Sequence, residues 1–198
     1  MYKRQVFYPN SDTDKTAVEW TVDDLNVAEV ATTTDANGKV SGTVKAKAAG
    51  VAVVKLQVVG KTEVNAAFRL IVRPTNEPKN CKADATYNSV SLSWSPVADA
   101  NGYTITRKVE GSDTEQTIAH VDGTDTVSYK DTAAQTGISY IYHVYAYTKY
   151  TNNGQTDYAN TDAYASVKAT PQLGKAAMTS VTAEGYSSLT LKLSLIHI

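Results

Sequence analysis

The chain has 198 residues, 42% of them hydrophobic, and a net charge of −1. That length suits one large domain or two ordinary ones, either able to bury a core. The charge balance leaves no basic excess to drive nucleic-acid binding, and no apolar run approaches the ~20 residues of a membrane-spanning helix.

The first five residues carry a signal of their own. With Met1 read from a GTG start, Met1-Tyr2-Lys3-Arg4-Gln5 back-translates to GTG TAT AAG AGA CAG. The reverse complement of that DNA encodes Leu-Ser-Leu-Ile-His, and the chain ends Leu193-Ser194-Leu195-Ile196-His197-Ile198. The two termini resemble one transposon-end sequencing adapter read in opposite directions. Residues 1–5 and 193–198 are therefore expected to be processing scars, set aside from fold reasoning. The rest is expected to be a piece of a longer protein.

From residue 18 onward, apolar and other residues alternate at the period of a half-buried strand. Val18-Glu19-Trp20-Thr21-Val22 reads as one strand, and Asp23-Asp24 as a turn. Asn26-Val27-Ala28-Glu29-Val30-Ala31 reads as a second short strand, and Asp35-Ala36-Asn37-Gly38 as a turn signal. Gly42-Thr43-Val44-Lys45-Ala46-Lys47-Ala48-Ala49-Gly50 leads into a strand whose Ala52, Val54, Leu56 and Val58 share one face. Residues 64–72 supply another strand. Pro74 and Pro78 follow within five residues, which stiffens a linker and rules out a central strand there.

A second alternating set begins after the prolines. Val90, Leu92 and Trp94 face one way, as do Tyr103 and Ile105 on the next run. Thr117, Ile118 and Val121 suit a short strand, and Ser128-Tyr129-Lys130-Asp131 another. Tyr140, Tyr142, Val144 and Ala146 share the inward face of a further run, and residues 164–169 close the set. Pro171 opens a second linker. Ser180-Val181-Thr182-Ala183 and Ser188-Leu189-Thr190-Leu191 then echo Lys82-Ala83-Asp84-Ala85 and Ser89-Val90-Ser91-Leu92.

These runs carry two family resemblances. Residues 18–72 resemble the bacterial Ig-like group 2 domain, through the Trp20 strand, Asn26-Val27-Ala28-Glu29-Val30, and the Gly42-to-Gly50 run with its alternating strand. The family has further strand at the front, where only residues 6–10 remain. Residues 78–170 resemble a fibronectin type III domain over its full length, with Tyr140 where that family places a tyrosine whose hydroxyl bonds back to nearby backbone. The expected architecture is all-β, tandem immunoglobulin-like β-sandwiches: an incomplete Ig-like domain at 6–73, a Pro-containing linker at 74–79, a type III domain at 80–170, and the start of another at 171–192. Trp20, Trp94, Tyr103, Ile105, Tyr140, Tyr142 and Val144 are the expected core.

Reactive chemistry is sparse. There is no phosphate loop and no Gly-x-Ser-x-Gly elbow. His120 and His143 are not spaced for a metal site. Asp12 and Asp14, Asp23 and Asp24, and Asp122 with Asp125 could donate oxygens to calcium, but none sits in a twelve-residue calcium loop, and turn roles explain them better. Cys81 is the single cysteine, so no internal disulfide forms. It reads as a small buried hydrophobe with no basic cluster beside it to activate the thiol. No catalytic, metal or cofactor site is expected.

Tyrosine is the conspicuous count: nine of 13 lie between Tyr103 and Tyr164. By alternation Ile141, His143, Tyr145 and Tyr147 face outward, with Tyr150 just beyond. His143, Tyr145, Tyr147 and Tyr150 are the expected binding face, if one exists, since an exposed aromatic strip can stack on sugars or adhere to protein. Cross-strand pairing with Thr104, Thr106 and Lys108 explains the same residues without a ligand.

The resemblances imply a non-catalytic spacer of a bacterial extracellular or cell-surface protein, whose partners are the neighbouring domains of its own chain. The alternatives are an adhesion module that binds cell-wall or host glycans or proteins through the aromatic face, and accessory domains of a secreted enzyme whose catalytic part lies elsewhere.

Overall fold

The computed structural model describes residues 5–6, 18–36, 40–174, 176–183 and 189–195. Among them every regular element is a strand. The first six are β1 (Gln5–Val6), β2 (Val18–Val22), β3 (Ala28–Thr34), β4 (Val40–Ala46), β5 (Gly50–Val58) and β6 (Lys61–Val72). After a strandless connection come β7 (Lys82–Ala85), β8 (Val90–Ser93), β9 (Gly102–Val109), β10 (Gln116–Asp122), β11 (Ser128–Asp131), β12 (Tyr140–Asn152), β13 (Gln155–Asn160) and β14 (Ala165–Ala169). The last are β15 (Ala176–Ala183) and β16 (Leu189–Leu195), which pair with each other.

The first six strands make two sheets of three, ordered β1-β4-β3 and β2-β5-β6. Alternation aims Trp20, Val54 and Leu56 inward from the second sheet. Val30, Val40 and Val44 meet them from the first, with Phe68 and Leu70 closing the cluster. The second short strand starts later than its sequence suggests and runs on to Thr34. Asn26 and Val27 belong to the preceding turn: the Asp24 carboxylate accepts the Asn26 amide at 2.9 Å, and the Asp24 carbonyl accepts those of Val27 and Ala28. Local side-chain bonding of this kind competes with strand pairing.

The next eight strands make a three-stranded sheet, β11-β8-β7, facing a five-stranded one, β10-β9-β12-β13 with β14 also on β12. Val90, Leu92 and Trp94 meet Tyr103, Ile105, Tyr140, Tyr142, Val144 and Ala146 between them. Trp94 lies edge-on to Tyr103 at 5.2 Å. The chain is thus two immunoglobulin-like β-sandwiches in tandem. Cys81 stands just before β7, half-buried against this core, and burial pushes its thiol pKa up.

β12 organises the larger sheet. One edge pairs with β9 from Tyr140↔Val109 to Tyr147↔Gly102. The other edge is shared: β14 takes residues 140–144 and β13 takes 147–152. The β12–β13 hairpin turns through Asn153 and Gly154, with φ of 49° and 79°. A two-residue turn with both φ positive matches the twist of the flanking strands, and Asn-Gly is its preferred pair.

Residues 1–4 and 196–198, most of the expected adapter scars, lie outside the described residues, as do Asp12 and Asp14. Gln5 pairs with Gly42, and residues 193–195 run within β16.

Candidate functional site

The outward face of the five-stranded sheet brings together His120, His143, Glu115, Asp122, Lys149 and several tyrosines. Thr104 and Thr106 stand on β9, opposite Tyr145 and His143 of β12. Two interlocked clusters cover this surface.

The first is built around Tyr147, which is fully buried at 0% exposure. Its hydroxyl donates to Asp122 Oδ1 at 2.5 Å, and Lys149 Nζ donates to the other carboxylate oxygen at 2.8 Å. These bonds, Lys149 first, hold the Asp122 carboxyl below its ordinary range. Burial, followed by the Asp122 hydrogen bond and charge, pushes the Tyr147 phenol well up. Over Tyr147 lie two rings from opposite edges of the sheet. His120 of β10 and Tyr158 of β13 stack at 3.8 Å with planes 4° apart, and Tyr158 meets Tyr147 edge-on at 4.8 Å. Burial lowers the His120 pKa against the pull of Asp122.

A β-bulge makes this stack. The β10–β9 register shifts between Thr117 and Ala119, so that Thr117 opposes Thr106 while His120 opposes Thr104. Without the extra residue His120 would point into the core, because a one-residue slip exchanges the faces of a strand.

The second cluster surrounds His143. The sequence placed it in solvent, yet it is only 7% exposed. Tyr164, from the segment between β13 and β14, covers it at 4.2 Å between ring centres, and Tyr145 stands 5.0 Å from Tyr164. His143 Nδ1 lies 2.8 Å from Glu115 Oε1, the oxygen that also accepts the Thr106 hydroxyl. Burial alone would raise the Glu115 pKa, but the bonds from Thr106 and His143 and the charges of His143 and Lys108 outweigh it, so the pKa is lowered.

The expected four-residue aromatic face is therefore corrected. Tyr147 and His143 are buried beneath rings supplied by other segments. Tyr150, half-buried on the β12–β13 hairpin, donates its hydroxyl to Asp157 at 2.8 Å and lies under the Arg69 guanidinium. Tyr145 keeps partial exposure, and Tyr164, which the outward-strip reading did not include, is 44% exposed. The expected core residues Trp20, Trp94, Tyr103, Ile105, Tyr140, Tyr142 and Val144 are all buried.

These groups form no nucleophile pair open to solvent. Thr104 Oγ1 lies 3.0 Å from His120 Nδ1, but its proton goes to Asn160 Oδ1 at 2.7 Å, and the residue is 1% exposed. Among the described residues no cluster of three or more His, Cys, Asp or Glu could hold a metal. Asp23 and Asp24 accept backbone amides, from Val53 and Asn26.

A third assembly joins the two sandwiches. Arg73, just after β6, donates through both terminal nitrogens to Asp162, at 2.7 and 2.9 Å. Thr148 Oγ1 donates to the Val72 carbonyl at 2.7 Å. Arg69 donates to the Thr151 carbonyl and stacks over Tyr150, 5.6 Å from its ring centre. Pro74 and Pro78, in the connection itself, are buried. The sequence offered one legible sign of this assembly: Asn153-Gly154 between alternating runs is a hairpin signal, and that hairpin carries Tyr150 and Thr151.

No family model and no curated protein matches the chain. Among solved structures it is similar to an Fn3-like protein from Clostridium thermocellum, at 29% identity over 52% of this chain and 99% of that one, with a TM-score of 0.35. It is also similar to a computationally redesigned β-sandwich protein, at 18% identity over 49% and 95% of the two chains and a TM-score of 0.37. A segment of titin domains matches at 16% identity over 77% of this chain and 53% of that one, with a TM-score of 0.36.

Proposed function

We propose that this chain is a non-catalytic spacer from a larger bacterial extracellular or cell-surface protein, setting the distance and direction between the domains on either side of it. The joint between the sandwiches carries this reading. A flexible tether needs no contacts across its linker, whereas here two arginines, a threonine and a tyrosine fix one sandwich against the hairpin of the next. Each exposed ion pair contributes at most ~1 kcal/mol. Together, across a short Pro-bearing connection that keeps the partners at high effective concentration, they favour one orientation.

The outward sheet face supports the same reading. Thr104, Thr106, Glu115, His143, Asp122 and Tyr147 are hydrogen-bonded within this face or to its neighbours, so they stabilise the sheet and are already engaged. The competing reading, a glycan- or protein-binding module, rests on the partly exposed Tyr145 and Tyr164.

Nuclear spin relaxation and small-angle scattering on the full chain test the proposal. The two sandwiches should tumble as one elongated body and separate in an Arg69→Ala, Arg73→Ala variant. Independent tumbling in the unaltered chain would overturn the spacer reading. Glycan or protein binding that disappears in a folded Tyr145→Ala, Tyr164→Ala variant would replace it with the binding reading.

A further inference from the structure

The β12–β13 hairpin ends on an Asn-Gly pair, and the chain contains three such pairs: Asn37-Gly38, Asn101-Gly102 and Asn153-Gly154. An asparagine followed by glycine is open to a specific backbone reaction. The glycine nitrogen attacks the asparagine Cγ, a C–N bond forms, the Cγ–Nδ2 bond breaks, and ammonia leaves. Water then opens the cyclic imide at either carbonyl, giving aspartate or isoaspartate. No oxidant or enzyme is required, only water and a base to take the amide proton. What decides the rate is whether the glycine amide is free, whether the side chain can swing over it, and whether water reaches both.

The structure separates two of the three pairs sharply. Asn101 is pinned: its Oδ1 accepts the Lys149 amide at 2.9 Å, its own amide donates to Tyr147, and its carbonyl accepts from Gly123. Gly102 is buried, and a Cβ built there would collide with the Val121 carbonyl oxygen and the Tyr147 hydroxyl, so its backbone is closely hemmed in. Asn153 is exposed, and among the described residues none is hydrogen-bonded to its side chain. Gly154 is exposed too, with no atom within 4 Å of where its Cβ would stand, and its amide donates to no backbone group of the turns and loops. Asn37 lies outside the described residues.

We propose that Asn153 is a site of spontaneous deamidation and isoaspartate formation, and that Asn101, with the same sequence neighbour, is protected by the fold. The product matters because of where it forms. Isoaspartate adds a methylene to the backbone of a turn with two residues between the paired Asn152 and Gln155. The hairpin arm next to that turn carries Thr151 and Asn152, both hydrogen-bonded to Arg69. Conversion at the tip therefore loosens the contacts that join the two sandwiches.

Peptide mapping by mass spectrometry, on the full chain held in warm, mildly alkaline buffer, tests this. Asn153 should convert at least ~10-fold faster than Asn101, because a buried, hydrogen-bonded segment reacts only when it opens. In denaturant the two Asn-Gly sites should convert at similar rates, since the protection belongs to the fold. Equal rates at the two sites in the folded chain would overturn the proposal. So would an Asn153 that stays intact while the denatured chain converts. An Asn153→Ser variant supplies a fold-preserving control: the signal assigned to this peptide should vanish, and its persistence would also refute the assignment.

Discussion

Arg73 and Asp162 are 89 residues apart in the chain, yet guanidinium and carboxylate meet in two parallel hydrogen bonds of 2.7 and 2.9 Å. The pair is solvent-exposed, with 46% and 86% of the respective side chains accessible. Its energy is small, but its position is not incidental. It clamps the residue that follows β6 to Asp162, two residues beyond the end of β13, so a weak contact sets the angle of the joint.

Removing that clamp should leave stability nearly untouched. Asp162→Ala should cost less than ~1 kcal/mol by chemical denaturation. Small-angle scattering should nevertheless show a broader distribution of inter-sandwich distances. A large stability loss would mean that the pair supports folding and not orientation.

Trp94 lies under the second core, 5% exposed, edge-on to Tyr103, and its indole nitrogen has no acceptor. Its contribution is therefore packing. Trp94→Ala should cost about 3–5 kcal/mol, while Trp94→Phe, which gives up no hydrogen bond, should cost clearly less. A Trp94→Ala chain whose second sandwich melts like the parent would contradict this core assignment.

Tyr140 joins packing to a hydrogen bond: its hydroxyl accepts the backbone amide of Gln135 at 3.2 Å, and the Arg107 guanidinium lies 4.9 Å from its ring centre. Tyr140→Phe keeps the ring and should cost on the order of 1 kcal/mol. Amide exchange at Gln135 should quicken in the same variant. Unchanged exchange there would show that the bond contributes nothing.

Asp131 is 2% exposed and gathers three donors: Arg107 at 2.7 Å, the Tyr142 hydroxyl at 2.9 Å and the Ala133 amide at 2.9 Å. Removing one partner of a buried ion pair leaves the other charge uncompensated, so Asp131→Ala should cost about 3–5 kcal/mol. Adding Arg107→Met should recover part of the loss, because the stranded charge is gone. A double variant no more stable than the single one would argue against that account.

Acid should weaken the second sandwich in two stages. His120 and Glu115 both have lowered pKa values, from ordinary values of 6.5 and 4.5. For a lowered group the unfolded chain takes up protons first, so stability is present above the unfolded value and lost as pH falls through the folded one. The melting temperature should hold down to about pH 7, decline below the ordinary histidine range, and decline again below the carboxylate range. His120→Gln should flatten the first decline and leave the second. A first decline that survives this substitution would have to come from another group.

Much of this was legible in the residues. Val90, Leu92 and Trp94, or Tyr140, Tyr142 and Val144, repeat at period two within a few positions, and a strand sends alternate side chains to opposite faces. That local rule gives both strands and inward faces without knowledge of the partners. It gives the outward list too, but outward is not the same as exposed. His143 and Tyr147 alternate out of the core as expected and are then buried by Tyr164 and by the His120–Tyr158 stack.

The all-β class, the alternating faces and the buried aromatic core can be read from the residues alone, because they follow from a periodicity that each strand carries in its own segment. The rest came from contacts between distant segments. A bulge in β10 turned His120 outward, rings from separate strands closed over Tyr147 and His143, and a hairpin brought Tyr150 and Thr151 to Arg69. Each of these depends on side chains distant in the chain meeting through strand order and register, and no spacing within a single segment encodes such a meeting.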